Sequence, residues 1–399
     1  MTELDPRLAK RVKLSDGALI TRMLDIANGL DDVIRMGRGD PDLDTPAHIV
    51  RAGQEALANG ATHYSHPLGI APLRAAIAES IRTNGGADYA DDEIMVTPGG
   101  QQGMFIIALS LLNPGDEIIV PCPGYNPYGQ AAEMSDATVV KIPMTMETNF
   151  TLTAEMIAPH ITERSKILVL INPNNPTGTV TPPSEVAKIA ELAKAHDLIV
   201  ISDEIYARLT FGNNTVQPVA ALPGMKERTI TLSGFSKAYA MTGWRVGYLA
   251  GPRALIAPMA EVNHGFAICT ATVSQHAALA ALTESQDCVE EMRRAYDARR
   301  AAILKALDAM GMGYAEPQGG FYIYADVASL GLGITASAFC QRLLEEGRVM
   351  IFPGTIYGDH TDDFVRMAMT QPLDRIEAAM VRMGSVVDAL RAAQNAAAS

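Results

Sequence analysis

Short apolar runs recur along the chain: IMVT before Pro98, then Asp116–Val120, Lys166–Ile171, LIVIS ending at Asp203, TITL before Ser233, and Val246–Leu249. Runs that are apolar on both faces predict strands buried between two layers. Between them the apolar residues fall at helical spacing. Ile49, Gly53, Ala56 and Leu57 share a face within 47–58, as do Met104, Ile107, Ala108 and Leu111 after the Gly99-Gly100 turn. Val186, Ile189, Ala190 and Ala193 do the same in EVAKIAELAKAHD, and Asn113-Pro114-Gly115 stops the helix before it. Strand, helix, strand in this rhythm predicts a parallel sheet covered on both sides.

The ends read differently. A polar lead precedes a helical segment, Leu19–Ala27, and the punctuated loop IRMGRGDPDLDTP. Tyr64 falls in the connector HYSHPLGIAPL, ahead of a helix through Arg82. From about residue 285 the texture changes to a long charged helix, Asp287–Met310, the alternating segment GGFYIYADV, and a helix over 336–346. The strands VMIFPG and DFVRMAM and an alanine-rich helix follow, the last expected to fray at its end. Residues 46–285 are thus expected to form a large domain, with 1–45 and 286–399 making a smaller α+β domain from both termini.

Composition narrows the class. At 399 residues the chain is long enough for two lobes. Its 32 basic and 45 acidic residues give a net charge of −13, which works against nonspecific nucleic-acid binding but allows a local basic pocket. The four cysteines are scattered with no close pair, so neither disulfides nor a cysteine zinc site is expected, and a reducing cytoplasm fits. No signal-peptide core or membrane-length apolar run is seen. The 20 methionines read as core filler.

The chemistry gathers at strand ends. Lys237 follows TITLSGFS in an apolar neighbourhood of Phe235, Tyr239, Met241 and Trp244, with Arg245 eight residues on. A buried lysine near a second cation gives up its proton easily, and the free amine can form a Schiff base. Together with an arginine for a phosphate, that points to pyridoxal 5′-phosphate, which also needs an acid for its ring nitrogen and an anion cradle. Asn175, Asp203 and Lys237 each lie just past the carboxyl end of a successive strand, where open parallel sheets bind ligands. The turn TPGGQQG feeding a helix N-terminus could hold a phosphate, although the same pattern serves as a plain connection.

With NPNNPTG, SDEIY and SGFSKAYAMTGWRVGY in that order, the chain resembles the class I/II aminotransferases of the fold-type I pyridoxal phosphate enzymes, aspartate and aromatic aminotransferases among them, over about residues 35–370. The resemblance implies an α/β fold whose large domain has a mostly parallel seven-stranded sheet flanked by helices. It makes Lys237 the Schiff-base lysine and Asp203 the carboxylate on the pyridine nitrogen, with Asn175 and Tyr206 as donors to the ring oxygen. Gly100, Gln101, Ser236 and Arg245 would hold the phosphate, and Tyr125 would stack on the ring. Arg366 would grip the substrate α-carboxylate, with Gly39 lying against it. Tyr64 would reach the phosphate of a neighbouring subunit, implying a homodimer with shared sites. Many relatives carry a hydroxyl residue where Gly234 stands, and some use tryptophan at Tyr125.

Other chemistries find less support. There is no GxxxxGK[ST] loop, no HExxH, and no SxxK, because Gly234 occupies the needed position. His63 and His66 lack further ligands, so no metal is expected. Transfer of an amino group from an L-amino acid to a 2-oxo acid, with 2-oxoglutarate the acceptor by resemblance, is the expected reaction. A C–S lyase or other β-eliminating enzyme would use the same residues, and a noncatalytic sensor module would need an attached DNA-binding segment. Substrate choice is expected to depend on loops Ser15–Leu19, Asn263–Thr272 and Ile356–His360.

Overall fold

The computed structural model describes residues 5, 7–9, 11 and 17–398. Seven strands form the main sheet: β1 (Ile94–Thr97), β2 (Glu117–Cys122), β3 (Thr138–Pro143), β4 (Ser165–Ile171), β5 (Ile199–Asp203), β6 (Thr229–Gly234) and β7 (Gly247–Ala250). Their order across the sheet is β1-β7-β6-β5-β4-β2-β3. Only β7 runs antiparallel to its neighbours. The continuous apolar runs have a simple cause. In β4, Ile167 and Val169 pack with Met104 and Ile107 of helix Gly100–Leu111, while Leu168 and Leu170 pack with Val186 and Ile189 of helix Pro183–Ala195. Both faces of the strand are dry, so neither needs polar residues.

A second, antiparallel sheet joins Phe352–Pro353, Phe364–Ala368, Tyr322–Asp326 and Gly313–Tyr314 in that order. Helices Asp287–Met310 and Leu373–Ala398 share a core with it, contributing Tyr296, Ile303, Ile376 and Met383. Ile34–Arg35 pairs in parallel with Val349–Met350, so the N-terminal segment is stitched to the C-terminal lobe.

Several local expectations change. The run VMIFPG breaks into two short strands that belong to different sheets. Edge strand β3 gave no clear signal because it is mostly half-buried or exposed, which removes the continuous apolar pattern. The stretch Asn263–Thr272 is less of a loop than expected, since helix Arg253–Ala267 enters it and helix Thr272–Thr283 leaves it. Ser15 lies outside the described residues, and helix Gly17–Asn28 begins two residues later. The alanine-rich tail stays helical as far as Ala398.

Residues 36–45 form a strap between the two sheets, and polar bonds pin it on alternate sides. Arg366 donates to Gly37 O (2.6 Å) and Thr370 to Arg38 O (2.9 Å), both from the C-terminal lobe. Lys237 then donates to Gly39 O (2.6 Å) and Thr242 to Asp40 (2.7 Å), from the loop after β6. Asp42 returns to the C-terminal lobe through a two-pronged ion pair with Arg299 (2.7 and 2.8 Å), and Thr45 donates to Ala240 O. A forked arginine–carboxylate pair fixes orientation as well as distance. The strap thereby holds Lys237 and Arg366 on backbone carbonyls only two residues apart.

Candidate active site

A cavity of about 560 Å3 opens at the carboxyl ends of β4, β5 and β6. Gly39, Gly100, Gln101, Tyr125, Asn175, Asp203, Tyr206, Ser236, Lys237, Arg245 and Arg366 all line it. Of the site residues that the family resemblance implied, only Tyr64 lies elsewhere, on the surface with 77% of its area exposed.

Asp203 ends β5 at the floor of this cavity, 2% exposed. Its carboxyl accepts from the Tyr128 hydroxyl (2.8 Å) and the Ile205 N–H (3.2 Å). No cation is paired with it among the described residues. Burial therefore pushes its pKa up to about 6, with the two hydrogen bonds pulling partly back. A carboxylate kept in such a place calls for a cationic partner arriving from the cavity.

Lys237 reaches the same space from the loop after β6. Burial lowers its pKa from the ordinary 10.5, so the neutral amine is easier to reach. The apolar surroundings are not those its sequence neighbours suggested. Phe235 and Tyr239 turn the other way and pack with Ile49 and Leu73, while the ring below the Lys237 amine is Phe321, 5.5 Å away.

The anion cradle is built by backbone. Gly99 has φ +80, a conformation that L side chains rarely adopt, and helix Gly100–Leu111 starts directly after it. Arg245 packs against that turn so closely that a Cβ on Gly99 would lie 2.6 Å from its guanidinium. Arg245 itself sits at φ +52 and donates to Thr242 O (3.0 Å). Free N–H groups at a helix start, a guanidinium and the Ser236 hydroxyl suit a phosphate dianion.

Arg366 lies between the rings of Tyr322 and Tyr357, 4.1 and 4.5 Å from their centres. One Nη donates to Asn175 (3.1 Å) and the other to Gly37 O, but Nε is buried with no partner. Buried donors are rarely left unpaired, and a ligand carboxylate in the cavity would satisfy this one. Tyr206 lines the same space and donates to the Tyr322 hydroxyl (3.4 Å), and burial raises its pKa well above 10.0, so it stays protonated.

Two contributors escaped the sequence reading. Tyr128 was legible only as the residue three beyond Tyr125 in PGYNPYG, on the helical turn that faces Asp203. Tyr322 comes from the second sheet, and its hydroxyl lies 1.7 Å from where a Cβ on Gly39 would stand. Only a glycine lets the strap pass there.

A lysine, a buried acid and a phosphate cradle at the carboxyl ends of strands of one sheet are what fold-type I pyridoxal phosphate enzymes present, and comparison with known proteins agrees. The family model described as "Aminotransferase class I and II" matches residues 31–382. The chain belongs to this family. This aminotransferase is 37% identical over 383 residues to the aspartate aminotransferase of Pyrococcus abyssi, covering 95% of this chain and 98% of that one. It is 36% identical to aromatic-amino-acid aminotransferase 2 of Thermococcus litoralis, with the same coverage. Among solved structures it matches the aromatic aminotransferase of Pyrococcus horikoshii with a TM-score of 0.87 at 36% identity, covering 92% and 98% of the two chains. The aspartate aminotransferase of Thermus thermophilus with maleate matches with a TM-score of 0.89 at 34% identity, covering 96% of this chain and 100% of that one. Membership carries the general activity of the family, amino-group transfer by pyridoxal phosphate chemistry.

Two substitutions probe the site without relying on turnover. In the cofactor-free protein Asp203 has a folded pKa above its unfolded value, so its contribution to stability is full below about pH 4 and is lost as pH rises through about 6. Asp203→Asn should therefore raise the unfolding free energy of the cofactor-free protein in urea at pH 8 relative to wild type, by up to about 3 kcal/mol, and should give little advantage at pH 4. Gly99→Ala would push Arg245 aside, and should weaken pyridoxal phosphate binding in an equilibrium titration at least about tenfold.

Proposed function

We propose that this chain is a transaminase that uses pyridoxal 5′-phosphate and Lys237 to move the amino group of an L-amino acid to a 2-oxo acid, with 2-oxoglutarate as acceptor, by a ping-pong route. The observation that carries this reading is the meeting, in one cavity, of a buried amine with lowered pKa, a buried acid with no cation, and an arginine whose buried Nε lacks a partner.

When bound, the cofactor supplies an electron sink that stabilises negative charge at the substrate Cα. The residues supply the rest. Asp203 holds a proton on the ring nitrogen as a carboxylate, the state that a cation in the cavity favours. Tyr206 and Asn175 would donate to the ring oxygen, and Tyr125 would supply an aromatic face for the ring. Gly100, Gln101, Ser236 and Arg245 anchor the phosphate. Arg366 grips the α-carboxylate through its free edge, with Gly39 beneath it. The Lys237 Nζ donates to Gly39 O, where it would be placed to carry a proton to and from the substrate.

We further propose a homodimer with shared sites, in the cytoplasm. Tyr64, and Phe266 with 64% of its area exposed, are large aromatic residues facing outward, as a subunit interface requires. The four cysteines are unpaired, in keeping with a reducing compartment. The relatives include enzymes named for both aspartate and aromatic amino acids, so the donor is to be found by assay.

The test is a half-reaction. Protein loaded with pyridoxal phosphate is mixed with single L-amino acids and no acceptor. The reading predicts release of about one 2-oxo acid per chain and then a stop, with turnover restored by 2-oxoglutarate and absent in Lys237→Ala. Continued production of 2-oxo acid with ammonia would replace the transaminase by a lyase, and no product from any amino acid would overturn the reading.

A further inference from the structure

Asp203 and Glu204 are adjacent at the end of β5, and successive side chains of a strand point to opposite faces. Asp203 enters the cavity described above. Glu204 enters another, a chamber of about 310 Å3 on the far side of the segment Ser233–Phe235. Its rim includes the exposed residues Asn84 and Thr215, so it is reached from solvent. The volume lies at the lower end of the range for small-molecule sites, about 300–1,000 Å3.

Two opposite charges face this chamber without meeting. The Glu204 carboxyl has one hydrogen bond, from the Ser202 hydroxyl (2.7 Å), and no ion pair among the described residues. Burial raises its pKa from 4.5 to about 7, as expected for a carboxyl that lacks a cation. Arg208 also lines the chamber. Both of its hydrogen bonds leave from Nη1, to Tyr239 (2.7 Å) and Gln286 (2.8 Å), and it too has no ion pair among the described residues. Its Nε and Nη2 make no hydrogen bond there. Part of the remaining wall is apolar, with Ile81, Val216, Pro218 and Leu282, beside the hydroxyl residues Thr210 and Thr215.

A lone anion would bring negative charge toward Glu204, and a simple amine would leave Arg208 unmatched. No group of three or more metal-ligating side chains exists among the described residues, so Glu204 is not part of a cation cluster. A small molecule with an ammonium at one end, a carboxylate at the other and an apolar side chain answers all three walls. We propose that this chamber binds a free apolar L-amino acid as a zwitterion, its ammonium on Glu204 and its carboxylate on Arg208, at a site separate from the one that holds Lys237. The two sites share Ile205, and the segment that leads into Lys237 lines both, with Ser233–Phe235 on the chamber and Ser236 and Lys237 on the first cavity. The proposal does not rest on the transaminase reading.

The test uses L-valine, titrated calorimetrically into the Arg366→Ala holoprotein so that the first cavity has lost its carboxylate grip. One saturable site per chain is expected. Glu204→Gln and Arg208→Gln should each weaken it at least about tenfold, as should replacing the probe by valinamide, which lacks the carboxylate, or isovalerate, which lacks the ammonium. The two analogues are tested on an unaltered chamber, so either of them binding as tightly as valine overturns the proposal even if a chamber variant fails to fold. No saturable binding at millimolar L-valine, or binding that survives both chamber substitutions, or valinamide binding as tightly as valine, would each overturn the proposal. Binding that survives both substitutions would also locate the L-valine in the first cavity and show that Arg366 is not its carboxylate grip.

Discussion

A carboxylate buried at the end of a dry sheet must either take a proton or find a cation, and the candidate site is arranged around that constraint. Asp203 is only 2% exposed, so little solvent reaches it to shield its charge. The fold gives it two hydrogen bonds, enough to fix its direction but not to keep it charged at low cost. A protonated pyridine ring is a cation of the right shape for such a place. The same desolvation that raises Asp203 lowers Lys237, so burial in one cavity would prepare both an acid to hold the ring and an amine to attach to it.

The second dependence is mechanical. Lys237 follows a strand of the main sheet and Arg366 lies in the C-terminal one, and the proposed chemistry on an amino acid would need both within reach of a single Cα. The strap 36–45 meets that need with backbone carbonyls, two residues apart, and is itself tied down by the Asp42–Arg299 pair and by Thr45. Gly39 matters here for its missing side chain, since Tyr322 occupies the space a Cβ would take.

Much of this was legible in the sequence, for identifiable reasons. Strands buried on both faces leave continuous apolar runs, so β4, β5 and β6 could be seen, and with them the positions of Asn175, Asp203 and Lys237 beyond their ends. Edge strand β3 could not be seen this way, because partial exposure mixes its pattern. Tyr128, Tyr322 and Arg299 were hidden for a different reason. Each acts across a tertiary contact, from a helix or from the other sheet, and no local spacing records which distant residue a side chain will meet. The direction of Phe235 and Tyr239 was misread on similar grounds: nearness in sequence to Lys237 placed them in its pocket, whereas the turn after β6 sends them to the opposite face. The family resemblance, resting on ordered motifs, reached Arg366 and Gly39, which periodicity alone would have left as an ordinary arginine and a loop glycine.

The central claim is that this cavity, and Lys237 within it, is where pyridoxal phosphate is held. It is tested most directly by adding pyridoxal 5′-phosphate to the cofactor-free protein, reducing with borohydride, and mapping the labelled peptide by mass spectrometry. The account predicts close to one label per chain, on Lys237. Label spread over surface lysines, or found on a different residue, would contradict it.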